Sequence, residues 1–355
     1  MLGFLGNKSS NLVGLDVGSS SVKLVALSKN SGSYTLESYA VVSLPPTAVI
    51  DGNIQDVGEV AETIEKAVKV AGVKLSSAIA AVPASAVITK RIEMSNVFSE
   101  FELEEQIKIE ADQFIPYPLD EVALDFEVLG PVNGNEGLNT VLLVACRKTD
   151  VELREDAISN TGLNCSIVDV DTFAVERAFP LISTEHKGKS DLVGVVDIGA
   201  ATLTLNVFKG TEIVYSREQA FGGNDLTNTI HQQYGMSVEE VEQSLRLDEL
   251  SAEIKEMVVL PFRGTVAQQV SRSLQFFYSS GAHSELSSLF LSGGTATIEG
   301  LADQLAEELG INADMANPFL NMSIGSRVNR TRLERDAPSL IKACGLAMRG
   351  FEGKE

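Results

Sequence analysis

Two short stretches of this chain carry one pattern. Asp16-Val17-Gly18-Ser19-Ser20-Ser21-Val22-Lys23-Leu24 and Asp197-Ile198-Gly199-Ala200-Ala201-Thr202-Leu203-Thr204-Leu205 each read strand, acid, glycine turn, strand. Each follows an apolar run, Leu12-Val13-Gly14-Leu15 in the first and Leu192-Val193-Gly194-Val195-Val196 in the second. A pattern repeated so far apart predicts two similar halves facing each other. Two carboxylates and two glycine turns then converge on one cleft, a way to hold a phosphate chain and its metal ion.

The chain has 355 residues, enough for two or more packed lobes. Lys and Arg number 28 against 49 Asp and Glu, a formal charge of -21. Such a surface has no general attraction for nucleic acid or anionic lipid. Cys146, Cys165 and Cys344 are odd in number and unpaired by any CxxC spacing. They read as buried, reduced thiols of a cytoplasmic protein. The start, Met1-Leu2-Gly3-Phe4-Leu5-Gly6, is too short for a signal peptide. No stretch has the apolar length of a membrane span, and the end, Arg349-Gly350-Phe351-Glu352-Gly353-Lys354-Glu355, carries no amphipathic helix.

Hydropathy patterning predicts a three-stranded meander at 12–16, 22–27 and 34–42, a helix at 57–71 ended by Gly72, and a buried strand at 77–82. From Pro83 the pattern changes to a compact α+β insertion, 83–167. It has strands at 86–92, 122–129 and 140–146, and helices at 100–114 and 150–159. A strand at 167–170 and a helix at 172–179 resume the first lobe. The polar stretch 183–190 marks the lobe boundary. A second meander follows at 192–197, 202–208 and 212–218. Helices are expected at 226–234, 237–245, 258–277, 298–309 and 339–349, with a strand at 287–291. The first lobe core is then 1–82 with 168–190 and 338–355. The second lobe core is 191–221 with 287–337, and 222–286 forms its upper part.

Glycine at a strand end permits positive φ and lets backbone approach a ligand. Successive N–H groups of such a turn make an anion nest. The hydroxyls of Ser19, Ser20 and Ser21 add donors at the first turn, and Lys23 adds positive charge for a β-phosphate. Asp16 and Asp197 would hold Mg2+ through its waters, since that ion dehydrates reluctantly. A third element, Leu289-Phe290-Leu291-Ser292-Gly293-Gly294-Thr295-Ala296, runs a buried strand into a glycine pair and a helix. Bare backbone there can lie against a flat ligand or begin an anion-binding helix.

The order of these three elements resembles the actin-like ATPase superfamily, whose fold is α/β, ribonuclease H-like and two-lobed. Val168-Asp169-Val170-Asp171-Thr172-Phe173-Ala174 resembles its first connecting motif, and Ser339-Leu340-Ile341-Lys342-Ala343-Cys344-Gly345-Leu346-Ala347 its second. The resemblance implies ATP and Mg2+ as ligands. Asp16 and Asp197 match its metal-site acids, Gly18, Ser19 and Ser20 its first phosphate loop, and Lys23 the loop lysine. Gly199, Ala200 and Ala201 fall on the second loop, and Gly293, Gly294 and Thr295 on the adenosine turn. Gly222 and Gly223 match a loop across the cleft, and Glu242 the acid that meets the ribose. Asp171 stands where a Glu or Gln positions attacking water. Its shorter reach, and alanines in place of Gly or polar residues at 200 and 201, predict slow or absent hydrolysis.

The placement of the insertion is similar to that of the FtsA-like branch. The run Gln113-Phe114-Ile115-Pro116-Tyr117-Pro118-Leu119-Asp120-Glu121 and the opening Met1-Leu2-Gly3-Phe4-Leu5 resemble the PilM family of type IV pilus assembly proteins. That resemblance implies a cytoplasmic ATP-binding adaptor, held at the inner membrane by the N-terminal tail of its partner PilN. The tail would lie in a groove between the first lobe and the insertion. Phe114, Ile115 and Tyr117 are candidates for that groove. Pilus assembly ATPases and a second copy of the chain are further partners to consider. A polymerising FtsA-like division protein and a small-molecule kinase of the same superfamily stay open as alternatives.

Overall fold

A computed structural model describes residues 8–72, 74, 76–183, 192–281 and 285–352. The first lobe opens with the meander β1 (Lys8–Val17), β2 (Ser21–Asn30) and β3 (Ser33–Ser43). Helix α1 (Val57–Ala71) follows, with Asp56 capping its start and Gly72 in the left-handed region at its end, then β4 (Ser77–Val82). The insertion contains β5 (Ile88–Ser95), α2 (Glu100–Ala111), β6 (Val122–Val132) and β7 (Asn135–Arg147). Helix α3 (Lys148–Ser159), β8 (Asn164–Val170) and α4 (Asp171–Ala178) return to the first lobe.

The second lobe repeats the plan: β9 (Leu192–Ile198), β10 (Leu203–Lys209) and β11 (Glu212–Gln219), then α5 (Gly223–Tyr234), α6 (Val238–Leu247) and α7 (Leu260–Ser279). It continues through β12 (Ser288–Ser292), α8 (Leu301–Leu309) and β13 (Ala313–Met315). Strand β14 (Ser323–Ile324), α9 (Arg330–Asp336) and α10 (Ile341–Arg349) complete the chain.

Among the described residues the first sheet has the order β8-β4-β1-β2-β3-β14 and the second β11-β10-β9-β12-β13. In both, an antiparallel meander is extended by two parallel strands on the side of its first strand. The repeat read from the sequence is therefore a repeat of topology. One apolar core fills the second lobe around Leu205, Ile230, Val266 and Leu289, and two flank the first sheet. A further cluster joins the lobes, with Phe179 after α4 stacked on Phe208 of β10 at 3.8 Å between ring centroids.

Several expectations shift. Helix α3 was expected inside the insertion, but Ala157, Ile158 and Leu163 bury against α1 and the first sheet. The reason is Arg154, which is buried and donates to the carbonyls of Ala81, Asp150 and Gly52. Residues 319–333 were assigned to the second lobe, yet Ser323 pairs with Thr35 and Phe319, Met322 and Leu333 pack on the first sheet. Helix α2 stops at Ala111, since the residues before Pro116 turn to bury Ile115. The long helix expected from 258 begins with a π turn over Lys255–Val259, which absorbs Pro261. Cys344 is buried, while Cys146 and Cys165 are only half-buried. The boundary residues 184–190, the opening residues 1–6 and the last residues 353–355 lie outside the described residues. No helix among the described residues is long and apolar enough to cross a membrane.

Candidate functional site

The two acid-glycine hairpins have matching local geometry. Asp16 stands opposite Lys23 across β1 and β2, and Asp197 opposite Thr204 across β9 and β10. Gly18 N–H donates to the Ser21 carbonyl at 3.1 Å, and Gly199 N–H to that of Thr202 at 2.8 Å. Both turns open into one cavity of about 790 Å³ between the lobes. Gly18, Ser19, Ser20, Ser21 and Lys23 line it from the first lobe, with Asp16. Gly199, Ala200, Ala201 and Asp197 line it from the second, with Asp171 at the start of α4 between them.

The third element closes the far end. Gly293, Gly294 and Thr295 line the same cavity, as do Gly223 and Glu242. Gly293 has φ +91, and a Cβ there would press on the Ile198 carbonyl and lie 2.9 Å from Asp197 Oδ1. Glycine is thus required where β12 turns past β9. Gly222 sits behind the wall, with no room for a Cβ against the Ala200 carbonyl. Its loop clamps the second hairpin: Gly223 N–H donates to Gly199 O at 3.0 Å and Asn224 N–H to Ala200 O at 2.8 Å. Thr295 Oγ1 donates to Gly199 O at 2.8 Å. Burial and the charge of Glu239 push the Glu242 carboxyl above its ordinary value.

The charges pair within the cleft. Lys23 Nζ lies 3.2 Å from Asp16 Oδ2. The second hairpin offers Thr204 in place of that lysine, and its acid is met instead by Lys342 of α10. Lys342 Nζ lies 2.9 Å from Asp197 Oδ2 and 3.3 Å from Asp171 Oδ2. Burial works against the Lys342 ammonium, yet Asp197, Asp171 and Asp16 hold it well above the ordinary lysine value. Burial likewise raises the Asp197 carboxyl, but Lys342 and a hydrogen bond from Ser292 outweigh it and keep it below the usual range. Asp171 Oδ1 accepts from Ala84 N–H at 2.9 Å and from the Thr172 hydroxyl at 3.3 Å. With both oxygens engaged, its carboxylate is fixed in orientation. Glu218, on β11, is raised by burial and by Asp171, against a hydrogen bond with Ser85.

The donor set suits a hard cation. Among the described residues no three acidic, His or Cys side chains close round one ion. A metal here would be held through its own waters by the carboxylates of Asp16 and Asp197 and by ligand oxygens, the arrangement Mg2+ tolerates best. Sequence reasoning missed Lys342, Glu218 and the polar bridge at the cavity rim. In that bridge Asp336, 7% exposed, accepts from the Tyr39 hydroxyl and Arg332 Nε, both at 3.2 Å, and faces Arg246 of α6 at 3.6 Å. A lone lysine near the start of an otherwise apolar helix was the available signal for Lys342.

The insertion presents a second surface. Leu103, Ile107 and Ala111 of α2 cover the sheet face that carries Met94, Val141 and Leu143. Ile115 is buried in this core, with Phe114 and Tyr117 packed against it under Lys90 and Arg147. Ile115 therefore serves the subdomain's own packing, while Phe114 and Tyr117 are half-buried at the edge of its core. Strand alternation sends Arg91, Glu127, Leu142 and Val144 to the face that α2 leaves uncovered. Leu142 and Val144 are half-buried there. Glu176 of α4 feels the charge of Arg91, and Arg349 that of Glu127, so this face looks toward the first lobe.

Comparison with known proteins agrees with this architecture. The family model described as "Type IV pilus assembly protein PilM" matches residues 14–351. A solved structure titled "PilM-PilN type IV pilus biogenesis complex" is 27% identical over 97% of this chain and 99% of the other, with a TM-score of 0.80. Ethanolamine utilization protein EutJ from Carboxydothermus hydrogenoformans shares the fold at 17% identity and a TM-score of 0.57, covering 95% of this chain and 88% of that one. An archaeal actin homolog, Ta0583, shares it at 13% identity and a TM-score of 0.51, covering 96% and 99%. The fold is therefore actin-like, and the division-protein and kinase readings are not favoured. This chain belongs to the type IV pilus assembly protein PilM family.

Proposed function

We propose that this chain is a nucleotide-binding adaptor of type IV pilus assembly that docks on the N-terminal tail of PilN and ties it to the pilus machinery at the membrane's inner face. The observation that carries this reading is its likeness, over nearly its whole length, to a PilM captured with PilN. The cleft takes ATP: Gly18 to Ser21 and Gly199 to Ala201 supply backbone donors to the phosphates, and the turn at Gly293 and Gly294 lies against the nucleoside. Asp16 and Asp197 would hold Mg2+, which when bound neutralises phosphate charge. Asp171 is short, and its oxygens are held by Lys342, Ala84 and Thr172, so it is badly placed to position an attacking water, and hydrolysis is slow.

The tail lies on the uncovered face of the insertion. Leu142 and Val144 offer apolar contact, and an extended peptide can enter a groove floored by strands. Nucleotide closes the lobes about the cluster at Phe179 and Phe208 and biases the surface shown to partners. The test is binding of a fluorescent PilN-tail peptide to the full chain with and without ATP and Mg2+. The expected result is saturable binding whose affinity changes with nucleotide and falls at least about tenfold in V144D. A peptide that binds V144D and the native chain alike, in either nucleotide state, removes the proposed groove.

A further inference from the structure

We propose that Lys342 is a resident cation: its ammonium sits between Asp171 and Asp197, so without nucleotide the chain takes no divalent ion directly on those two carboxylates, and it offers nucleotide phosphates a positive charge that does not depend on one. The inference deepens the nucleotide reading of the cleft, and one arm of its test is independent of that reading.

Asp16, Asp171 and Asp197 enter this part of the cleft from β1, α4 and β9, with Glu218 of β11 beside them. Lys23 serves the first, across its own hairpin. The corresponding position of the second hairpin is Thr204, which carries no charge. Lys342 supplies the missing cation from a different element, touching Asp197 at 2.9 Å and Asp171 at 3.3 Å. Both acids are locked in that orientation. Asp197 Oδ1 accepts from Ser292 Oγ at 3.0 Å, and Asp171 Oδ1 from the Ala84 N–H at 2.9 Å, so each turns its other oxygen to the ammonium.

The ammonium is equally fixed. It rises from the first turn of α10, whose neighbours Ile341 and Ala343 are buried and whose Gly345 lies against α4. Lysine is a compact point charge with three donors and no acceptor. It satisfies two carboxylates and keeps one donor for a phosphate oxygen. Mg2+ demands near-octahedral oxygen ligands at short range. It cannot take these oxygens directly while the ammonium holds them.

Mn2+ binding to the full chain without nucleotide, followed by electron paramagnetic resonance, tests this. K342M is expected to gain one Mn2+ site at least about tenfold tighter than any in the native chain, because two carboxylates are released to the ion. K342R keeps the charge and is expected to behave like the native chain. A native chain that binds Mn2+ as tightly as K342M overturns the proposal. If K342M does not fold, the native chain decides: one tight Mn2+ site with Lys342 in place overturns the proposal, and its absence supports it. In a second arm, ATP affinity of the native chain is measured in Mg2+ and in EDTA. A fall of no more than about tenfold on metal removal is expected, since the fixed ammonium still meets the phosphates. Binding in Mg2+ that vanishes in EDTA overturns the proposal. Failure of ATP to bind in either medium refutes the nucleotide reading, and the Mn2+ comparison still judges Lys342.

Discussion

Gly345 and Ala174 meet backbone to backbone. A Cβ on Gly345 would fall inside the contact radius of the Ala174 carbonyl, so α10 and α4 cross at a distance only glycine permits. Gly14 of β1 lies equally close to the Ala343 carbonyl on the other side of α10. These helices carry Asp171 and Lys342, so their separation sets the reach of both side chains.

G345A is expected to force α4 and α10 apart. Overpacking of this kind costs about 3 kcal/mol. Urea unfolding should show a lower midpoint, with the slope unchanged if the fold survives. Because the Lys342 ammonium moves with α10, the same variant should lose nucleotide affinity, read by calorimetry.

The cleft charges set a pH window. Asp197 has its carboxyl held below the ordinary value: burial raises it, and Lys342 with the Ser292 hydrogen bond lowers it further than burial lifts it. Its stabilisation is full above the unfolded-state value and is lost as pH falls through the folded one. Lys342 is held above its ordinary value, so its share is full below the unfolded-state value and is lost as pH rises through the folded one. D197N should cost about 3 kcal/mol at neutral pH, the price of an unpaired buried partner. The difference from the native chain should shrink below about pH 4. Unfolding midpoints across pH check this.

Arg154 is a staple between the insertion's exit and the first lobe. Its guanidinium donates to Ala81 O at 2.6 Å, Asp150 O at 2.7 Å and Gly52 O at 2.8 Å. R154M keeps much of the volume but removes the three guanidinium hydrogen bonds. The expected loss is about 3 kcal/mol, seen as a lower urea midpoint. Hydrogen exchange should rise first at α3 and β4.

Gly293 separates binding from folding poorly, and that is informative. G293A must strain a backbone at φ +91 and press on the carbonyl of Ile198. A strained position of this kind costs about 1–3 kcal/mol. Any shift of the turn also moves Asp197 and Gly294. ATP affinity should therefore fall at least about tenfold, measured by calorimetry at a temperature where the variant remains folded.

Glu218 is an acid in the wrong place for stability. Burial and Asp171 raise its carboxyl above the ordinary value, so its ionised form opposes folding at neutral pH. E218Q should raise stability by roughly 1 kcal/mol. The gain should disappear at acid pH, where Glu218 is protonated in the native chain; unfolding midpoints at the two pH values test it.

The linear chain was enough to reveal what is local or repeated. The hairpins at Asp16 and Asp197 and the stop of α1 at Gly72 rest on neighbours a few residues apart. The two-lobed plan was legible because the same strand-acid-glycine-strand pattern occurs twice, and Gly293 because glycine marks the close approach of backbone. The tertiary structure alone decided what depends on distant partners. The sequence gives Lys342 no link to Asp171 or Asp197, yet one helix crossing brings its charge between them. Helix α3 follows the insertion in sequence but joins the first lobe, since Arg154 finds its carbonyls there. Phe114, Ile115 and Tyr117 read as groove candidates, and only the packed subdomain shows Ile115 buried with Phe114 and Tyr117 packed against its core. Periodicity reports which face of an element is apolar; which other element covers that face is settled by chain crossings that no local pattern encodes.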